Sequence, residues 1–306
     1  MSSAVPCRGR PVVVGVDEGP GQDYLVHFAA REAELRQCPL RVAHATRPPP
    51  TGIRGAPAGG GEDPAASVGA RLVRRYEDLV RADFPALAVA GELPFGHVAA
   101  VLVERSQDAE MIVIGHRGSG GFPRLPLGSV SWQVATHARC PVIVVRPGVV
   151  AAPRESRVVV GVDPQDACLD ASLAALDLAY VEAGLRRARL ELVHGAYSPG
   201  TAPTGPVGMV PPDFEGLDQG ARDFLRKEIS RRRDRYPAVR ADLLVERTRP
   251  ATLLVRASRG ASLVVVGSRG RTGLRRLLLG SVSAEVLHTA ECPVAVARAP
   301  DAPDPG

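Results

Sequence analysis

The sequence predicts an α/β protein of two tandem domains, each a five-stranded parallel sheet with helices on both faces. Three observations predict it. Short apolar runs alternate with amphipathic stretches along the whole chain, so strand and helix follow one another in turn. The alternation is run through twice: Gly115-x-x-Gly118, nine residues and Gly128-Ser129 recur as Gly267-x-x-Gly270, nine residues and Gly280-Ser281, an offset of 152 (267 minus 115). Aligned at that offset, residues 115–144 and 267–296 are identical at 17 of 30 positions, against roughly two expected by chance for ordinary composition. The length of 306 residues then divides into two domains, each near the usual size of about 150.

Each copy reads in the same order. A first buried strand runs from Pro11 to Val16 and from Val158 to Val162, ending in Gly-Val-Asp both times (Asp17, Asp163). Helical spacing follows over Asp23–Gln37 and Ala167–Gly184. Second strands, Leu40–Ala45 and Ala188–Ala196, each carry a histidine near the end (His44, His194). Pro- and Gly-rich loops at 47–64 and 197–213 are too long for simple connections and are expected to be mobile over one face. Helices at 65–83 and 214–234, third strands at Leu87–Glu92 and Val239–Val245, and short helices at 96–106 and 249–258 come next. Fourth strands, Met111–Ile114 and Leu263–Val266, lead directly into the glycine loops. Helices beginning at Ser129 and Ser281 must end before Cys140-Pro141 and Cys292-Pro293, because the residue before proline disfavours helix. Fifth strands, Val142–Val145 and Val294–Ala297, close each copy. Right-handed crossovers between parallel strands give a Rossmann-like, doubly wound sheet with expected order 3-2-1-4-5. Domains are expected at 8–147 and 155–299, joined by a linker within 147–156, with a disordered tail from Pro300.

Composition narrows the function. Aromatics make up 4 % of the chain, so its cores are built from Val, Leu, Ala and Ile, which suits buried parallel strands. The apolar run after Arg8 and Arg10 is too short for a secretory leader, and no stretch is long enough to cross a bilayer, which implies a cytoplasmic protein. Five cysteines without a C-x-x-C or Cys/His metal spacing imply reduced thiols. Cys140 and Cys292 read either as buried packing residues or as reactive thiols, and packing is favoured. The net charge of +5 is almost wholly arginine, because Lys227 is the single lysine; a P-loop lysine and a kinase-type strand lysine are both excluded. Arg231, Arg232 and Arg233 lie among acidic residues on an amphipathic helix, so they read as a solvated face and argue against nucleic acid.

In the expected order the chain reverses between strands 1 and 4, and ligands bind outside the C-terminal strand ends at such a reversal. Asp17 and the Gly115 loop would face one crevice, and Asp163 and the Gly267 loop another. A carboxylate there accepts hydrogen bonds from a ribose hydroxyl or an adenine amino group. A glycine loop offers backbone N–H groups to a polyphosphate, and Ser129 or Ser281 adds a hydroxyl at a positive helix N-terminus. The same residues also serve as a tight turn and a helix cap with no ligand at all. Occurrence of the full set in duplicate favours nucleotide.

These residues carry a family resemblance. GHRGSGGFPRLPLGS and GSRGRTGLRRLLLGS, followed by Val130-Ser131 and Val282-Ser283 and then by Cys-Pro-Val, match the G-x2-G-x9-G-[S/T] signature of the ATP-binding branch of the universal stress protein family. The chain resembles that family in its tandem form over nearly its whole length. The resemblance implies an adenosine held by Asp17, Ala45 and Ile114 in the first half and by Asp163, Gly195 and Val266 in the second. It implies phosphates on Gly115, Gly118, Gly128, Ser129 and Val130, and on Gly267, Gly270, Gly280, Ser281 and Val282. The ligand implied is ATP, with Mg2+ as its counter-ion, in a stress-response protein that is regulatory rather than catalytic. Pairing through the fifth strands implies a homodimer or an intramolecular pseudo-dimer. The family often has Val after the strand 2 histidine; Ala45 and Gly195 imply a wider adenine pocket here.

The halves differ. Arg117 and Arg124 repeat as Arg269 and Arg276, but Arg271 and Arg275 stand where the first loop has Ser119 and Pro123, so the second half is expected to hold phosphates more tightly. His116 is replaced by Ser268, so no shared chemical step depends on it. His44 and His194 read as strand-end packing. No Ser-His-Asp order, paired carboxylates or metal signature repeats in both halves. Two further classes stay open: a slow ATPase or self-phosphorylating protein using Ser129 or Ser281, and a nucleotide-free interaction module.

Overall fold

The computed structural model describes residues 9–19, 21–46, 64–118, 127–146, 156–164, 169–196, 214–268 and 279–298. The chain divides into two compact units at Val149 and Val150.

The first unit runs β1 (Val12–Gly15), α1 (Gln22–Arg36), β2 (Leu40–Ala43), α2 (Pro64–Asp83), β3 (Val89–Glu92), α3 (Val98–Arg105), β4 (Met111–Gly115), α4 (Ser129–His137) and β5 (Val142–Val145). The second repeats it as β6 (Arg157–Gly161), α5 (Leu169–Arg186), β7 (Arg189–Gly195), α6 (Phe214–Arg232), β8 (Ala241–Glu246), α7 (Pro250–Ser258), β9 (Leu263–Gly267), α8 (Ser281–Thr289) and β10 (Val294–Ala297). In the first unit the strands lie in the order β3-β2-β1-β4-β5, all parallel. In the second they lie β8-β7-β6-β9-β10, also parallel. Each is the expected 3-2-1-4-5 sheet. Strand residues are buried in unbroken runs, as in Met111–Ile114 and Leu263–Val266, because helices cover both faces of a parallel sheet.

Local chemistry explains the element ends. Gly21 starts α1 at φ 80, and Gln37 ends it in the left-handed region with its N–H on the carbonyls of Ala33 and Glu34. Both first helices carry a buried ion pair one turn from the end, Glu32 with Arg36 at 2.5 Å and Glu182 with Arg186. The third strand begins at Val89 rather than Leu87, since the Leu87 N–H is taken by the Phe84 carbonyl in a turn. Helix α3 begins at Val98 rather than residue 96, where Gly96 has φ 142. The loops at 47–63 and 197–213, most of the linker and the tail lie outside the described residues.

One expectation fails. Cys38, buried in the turn before β2, is disulfide-bonded to a partner outside the described residues. An odd cysteine count excludes complete pairing but leaves room for one bridge. Cys140 and Cys292 are buried.

Candidate functional site

The parallel register sets β1 beside β4, pairing Gly15 with Ile114 at their C-terminal ends. Asp17 follows β1 by two residues, and the glycine loop leaves β4 at Gly115, so the two meet where the strand order reverses. A Cβ built on Gly118 would lie 2.5 Å from Asp17 Oδ2. Glycine is therefore the residue that lets the loop lie against the carboxylate. The other carboxylate oxygen is anchored: Asp17 Oδ1 accepts from the Gly19 N–H and from Gln22 Nε2, each at 2.8 Å. In the second half the Asp163 N–H donates to Ser172 Oγ at 3.0 Å, from the first turn of α5.

Both glycine loops are closed at the neck. The Gly128 N–H donates to the His116 carbonyl at 3.0 Å, and the Gly280 N–H to the Ser268 carbonyl at 3.2 Å. Ser131 Oγ donates to the Gly115 carbonyl at 2.7 Å and Ser283 Oγ to the Gly267 carbonyl at 2.6 Å, tying each following helix to the end of the preceding strand. Sequence reasoning gave these two serines no role, although their repetition two residues after Ser129 and Ser281 was the available signal. Ser129 and Ser281 are the first helical residues, and the caps are Gly128 and Gly280, with no side chain bonded to the first-turn N–H groups. The reading of these serines as ligand-free helix caps is thereby corrected: a hydroxyl cap must sit one residue earlier, and in the first half Gly128 stands there in close approach to the His116 carbonyl and Arg117 Cα, 3.3 and 3.4 Å from a would-be Cβ. The Ser129 and Ser281 side chains are exposed.

Ile114 and Val266 are buried at the ends of β4 and β9, and Ala45 and Gly195 follow the histidines of the second strands. His44 Nδ1 pairs with the Val16 carbonyl at 3.0 Å and His194 Nδ1 with the Val162 carbonyl at 2.9 Å, so both imidazoles brace the end of the first strand. Gly195 does not widen a pocket as expected. A Cβ there would meet Pro250 Cα at 2.7 Å and the Thr248 carbonyl oxygen at 2.8 Å, so the space is filled by backbone. Val130 and Val282, half-buried, sit in the first turns of α4 and α8. Gly270 and the arginines at 124, 269, 271, 275 and 276 lie outside the described residues.

His116, 5 % exposed, accepts from Arg146 Nη2 at 3.2 Å through Nε2. Burial lowers the Arg146 pKa from its usual value, and the like charge of Arg117 lowers it further. Arg117 and Arg146 thus form a cationic flank to the first glycine loop. Among the described residues no cluster of His, Cys, Asp and Glu could hold a metal ion. No helix among them is long and apolar enough to cross a membrane.

The model of the universal stress protein family matches residues 9–146 and again 156–298. The chain belongs to the universal stress protein family. It is 37 % identical over 304 residues to universal stress protein Rv2005c of Mycobacterium tuberculosis, covering 96 % of this chain and 98 % of that one. It is 35 % identical to universal stress protein Rv2623 of the same organism, covering 97 % and 99 %. A solved universal stress protein from Archaeoglobus fulgidus superposes with a TM-score of 0.66 at 19 % identity, covering 96 % of this chain and all of that one, a likeness of fold.

Proposed function

We propose that this universal stress protein binds ATP at the β1/β4 crevice and again at the β6/β9 crevice, and that occupancy regulates its partners in the cytoplasm without a chemical step on the nucleotide. The approach of Gly118 to Asp17 Oδ2 carries the reading. It sets a hydrogen-bond acceptor against a loop of backbone donors, at the place where doubly wound sheets bind ligands. Asp17 and Asp163 accept from the ribose or the adenine amino group, beside Ala45 and Ile114 and beside Gly195 and Val266. The polyphosphate, with Mg2+ as counter-ion, lies on Gly115, Gly118, Gly128, Ser129 and Val130, and in the second half on Gly267, Gly270, Gly280, Ser281 and Val282. First-turn N–H groups that no side chain caps suit an anion. Arg117 and Arg146 add charge in the first half, and the extra loop arginines make the second site the tighter one. Self-association through the fifth strands, within or between chains, belongs to the same reading.

Purified protein denatured in solvent is expected to release an adenine nucleotide detectable by mass spectrometry. Protein that carries none and takes up none from millimolar ATP would overturn the reading. Site inequality is measured in the full chain by comparing ATP titrations of Asp17→Ala and Asp163→Ala. Greater loss from Asp163→Ala is expected, and equal loss contradicts it. Phosphate release with and without the Ser129 and Ser281 hydroxyls separates the hydrolytic alternative.

A further inference from the structure

Asp17 is held by a residue that neither the glycine loop nor the strand order accounts for. Gln22, the first residue of α1, is 6 % exposed and bends back over the turn between β1 and α1. Its side-chain amide meets Asp17 twice: Oε1 accepts from the Asp17 N–H at 3.4 Å, and Nε2 donates to Asp17 Oδ1 at 2.8 Å. One orientation of the amide satisfies both bonds, since a main-chain N–H must meet an acceptor and a carboxylate must meet a donor. The Gly19 N–H donates to the same Oδ1 at 2.8 Å, in the manner of an Asx turn.

The duplication separates what the fold needs from what it does not. The Ala188 N–H bonds to the Ala183 carbonyl as that of Cys38 bonds to Ala33, an offset of 150 (183 minus 33). The pair of Glu182 and Arg186 matches that of Glu32 and Arg36 at the same offset. Gln22 therefore stands in the place of Ser172. Ser172 Oγ accepts from the Asp163 N–H at 3.0 Å, so the bond to the main chain is common to both halves. A short hydroxyl is sufficient for that bond and for the turn into the helix. The amide donor that Gln22 brings is additional to the fold, and it goes to the carboxylate.

What it changes is the carboxylate's freedom. With Oδ1 bonded from two sides, the group cannot turn without losing both bonds, and Oδ2 is kept facing the glycine loop, 2.5 Å from where a Gly118 Cβ would lie. A nucleotide whose phosphates lie on that loop brings its ribose to Oδ2. Its 2′ and 3′ hydroxyls are a few bonds from the 5′ phosphate, whereas the adenine amino group is on the far side of the base. A fixed acceptor favours a ligand with a hydroxyl at that point and rejects one without it, because the carboxylate then loses water and gains no donor. A carboxylate that could turn to solvent would discriminate less.

The geometry points to Gln22 as a positioning residue that makes the first crevice selective for ribonucleotides, by locking Asp17 with Oδ2 presented to the ribose hydroxyls. This rests on the nucleotide reading of the β1/β4 crevice and adds to it the sugar selected and the residue responsible.

ATP and 2′,3′-dideoxy-ATP titrated calorimetrically into the full-length Asp163→Ala protein, in which the second crevice has lost its carboxylate, test the assignment. ATP should bind about tenfold tighter than the dideoxy analogue. In the same background, Gln22→Glu keeps the side chain's shape and the acceptor for the Asp17 N–H but sets a like charge against Oδ1, and Gln22→Ser copies the second half. Each should weaken ATP by about fivefold or more and the dideoxy analogue by less than about twofold, so that the preference largely disappears. Circular dichroism checks that the variants fold, which Ser172 in the equivalent place leads one to expect of Gln22→Ser. Equal weakening of both nucleotides would reduce Gln22 to a structural role and overturn the inference. A full preference for ATP in the folded variants, or no preference before Gln22 is changed, would also overturn it, and in these three cases ATP binding itself stands. Binding of neither nucleotide to the Asp163→Ala protein would overturn the nucleotide reading of this crevice, and the inference with it.

Discussion

Replacing Gly118 with alanine puts the meeting of loop and carboxylate to a quantitative test. The new Cβ would lie 2.5 Å from Asp17 Oδ2, so either the loop retreats or the carboxylate turns. Turning breaks the two 2.8 Å hydrogen bonds that Oδ1 accepts from Gly19 and Gln22. Hydrogen bonds to a charged group contribute about 1.5 kcal/mol or more each, and this site is half-exposed, so the loss is about 1–3 kcal/mol in all. Gly118 is not among the glycines with positive φ, so alanine carries no backbone strain there. Alanine for glycine at a compatible site otherwise stabilises by about 0.4–1 kcal/mol through the unfolded chain. The sign of the effect therefore depends on Asp17. Gly118→Ala should destabilise the wild type by about 1–2 kcal/mol and be neutral or stabilising in an Asp17→Ala background. Urea unfolding followed by the fluorescence of Trp132, the chain's single tryptophan and a residue of α4, reports on this half. Additive effects, or a stabilising Gly118→Ala in the wild type, would refute the close approach.

Gly195→Val, the family's frequent residue at that position, should destabilise by about 2 kcal/mol because its Cβ meets the Thr248 and Pro250 backbone; a neutral change in urea unfolding contradicts this. For His27, burial lowers the pKa, but hydrogen bonds to the Asp23 carbonyl and to Asp83, 2.5 Å away, outweigh it and raise the pKa above the ordinary 6.5. A raised folded pKa contributes stability below the unfolded value and loses it as pH rises through the folded one, so Asp83→Asn should cost more near pH 5.5 than near pH 8.5, by under about 1 kcal/mol for so exposed a pair. Equal cost at both pH values would contradict the linkage. Burial pushes the Cys292 thiol up to about 12, so native protein should resist iodoacetamide at that residue near pH 8, and rapid alkylation seen by peptide mapping would count against it.

The sheet order was legible because the glycine pattern is duplicated and because parallel strands buried on both faces read as unbroken runs of Val, Leu and Ile. The meeting of Asp17 with the glycine loop was legible for the same reason, because the strand order sets the end of the first strand beside the end of the fourth. Residues whose role depends on through-space geometry were not. Ser131 and Ser283, quoted beside the glycine signature without a role, gain one only when their bonds to Gly115 and Gly267 are seen. Gly195 looked like a missing side chain, because no sequence pattern reports the approach of backbone at 248–250. Arg232 was read on a solvated face, yet its side chain is 12 % exposed and lies over Tyr180 at 5.8 Å, since a long guanidinium can reach back along its helix to Glu228. Arg231 reaches Glu228 as well, which leaves Arg233 as the member of the run without an acid among the described residues.

Calorimetric titration of the full-length chain with ATP tests the central claim most directly. Two ATP per chain in the wild type, one in either Asp17→Ala or Asp163→Ala, and none in the double variant is the predicted result; undiminished binding in the folded double variant would contradict it.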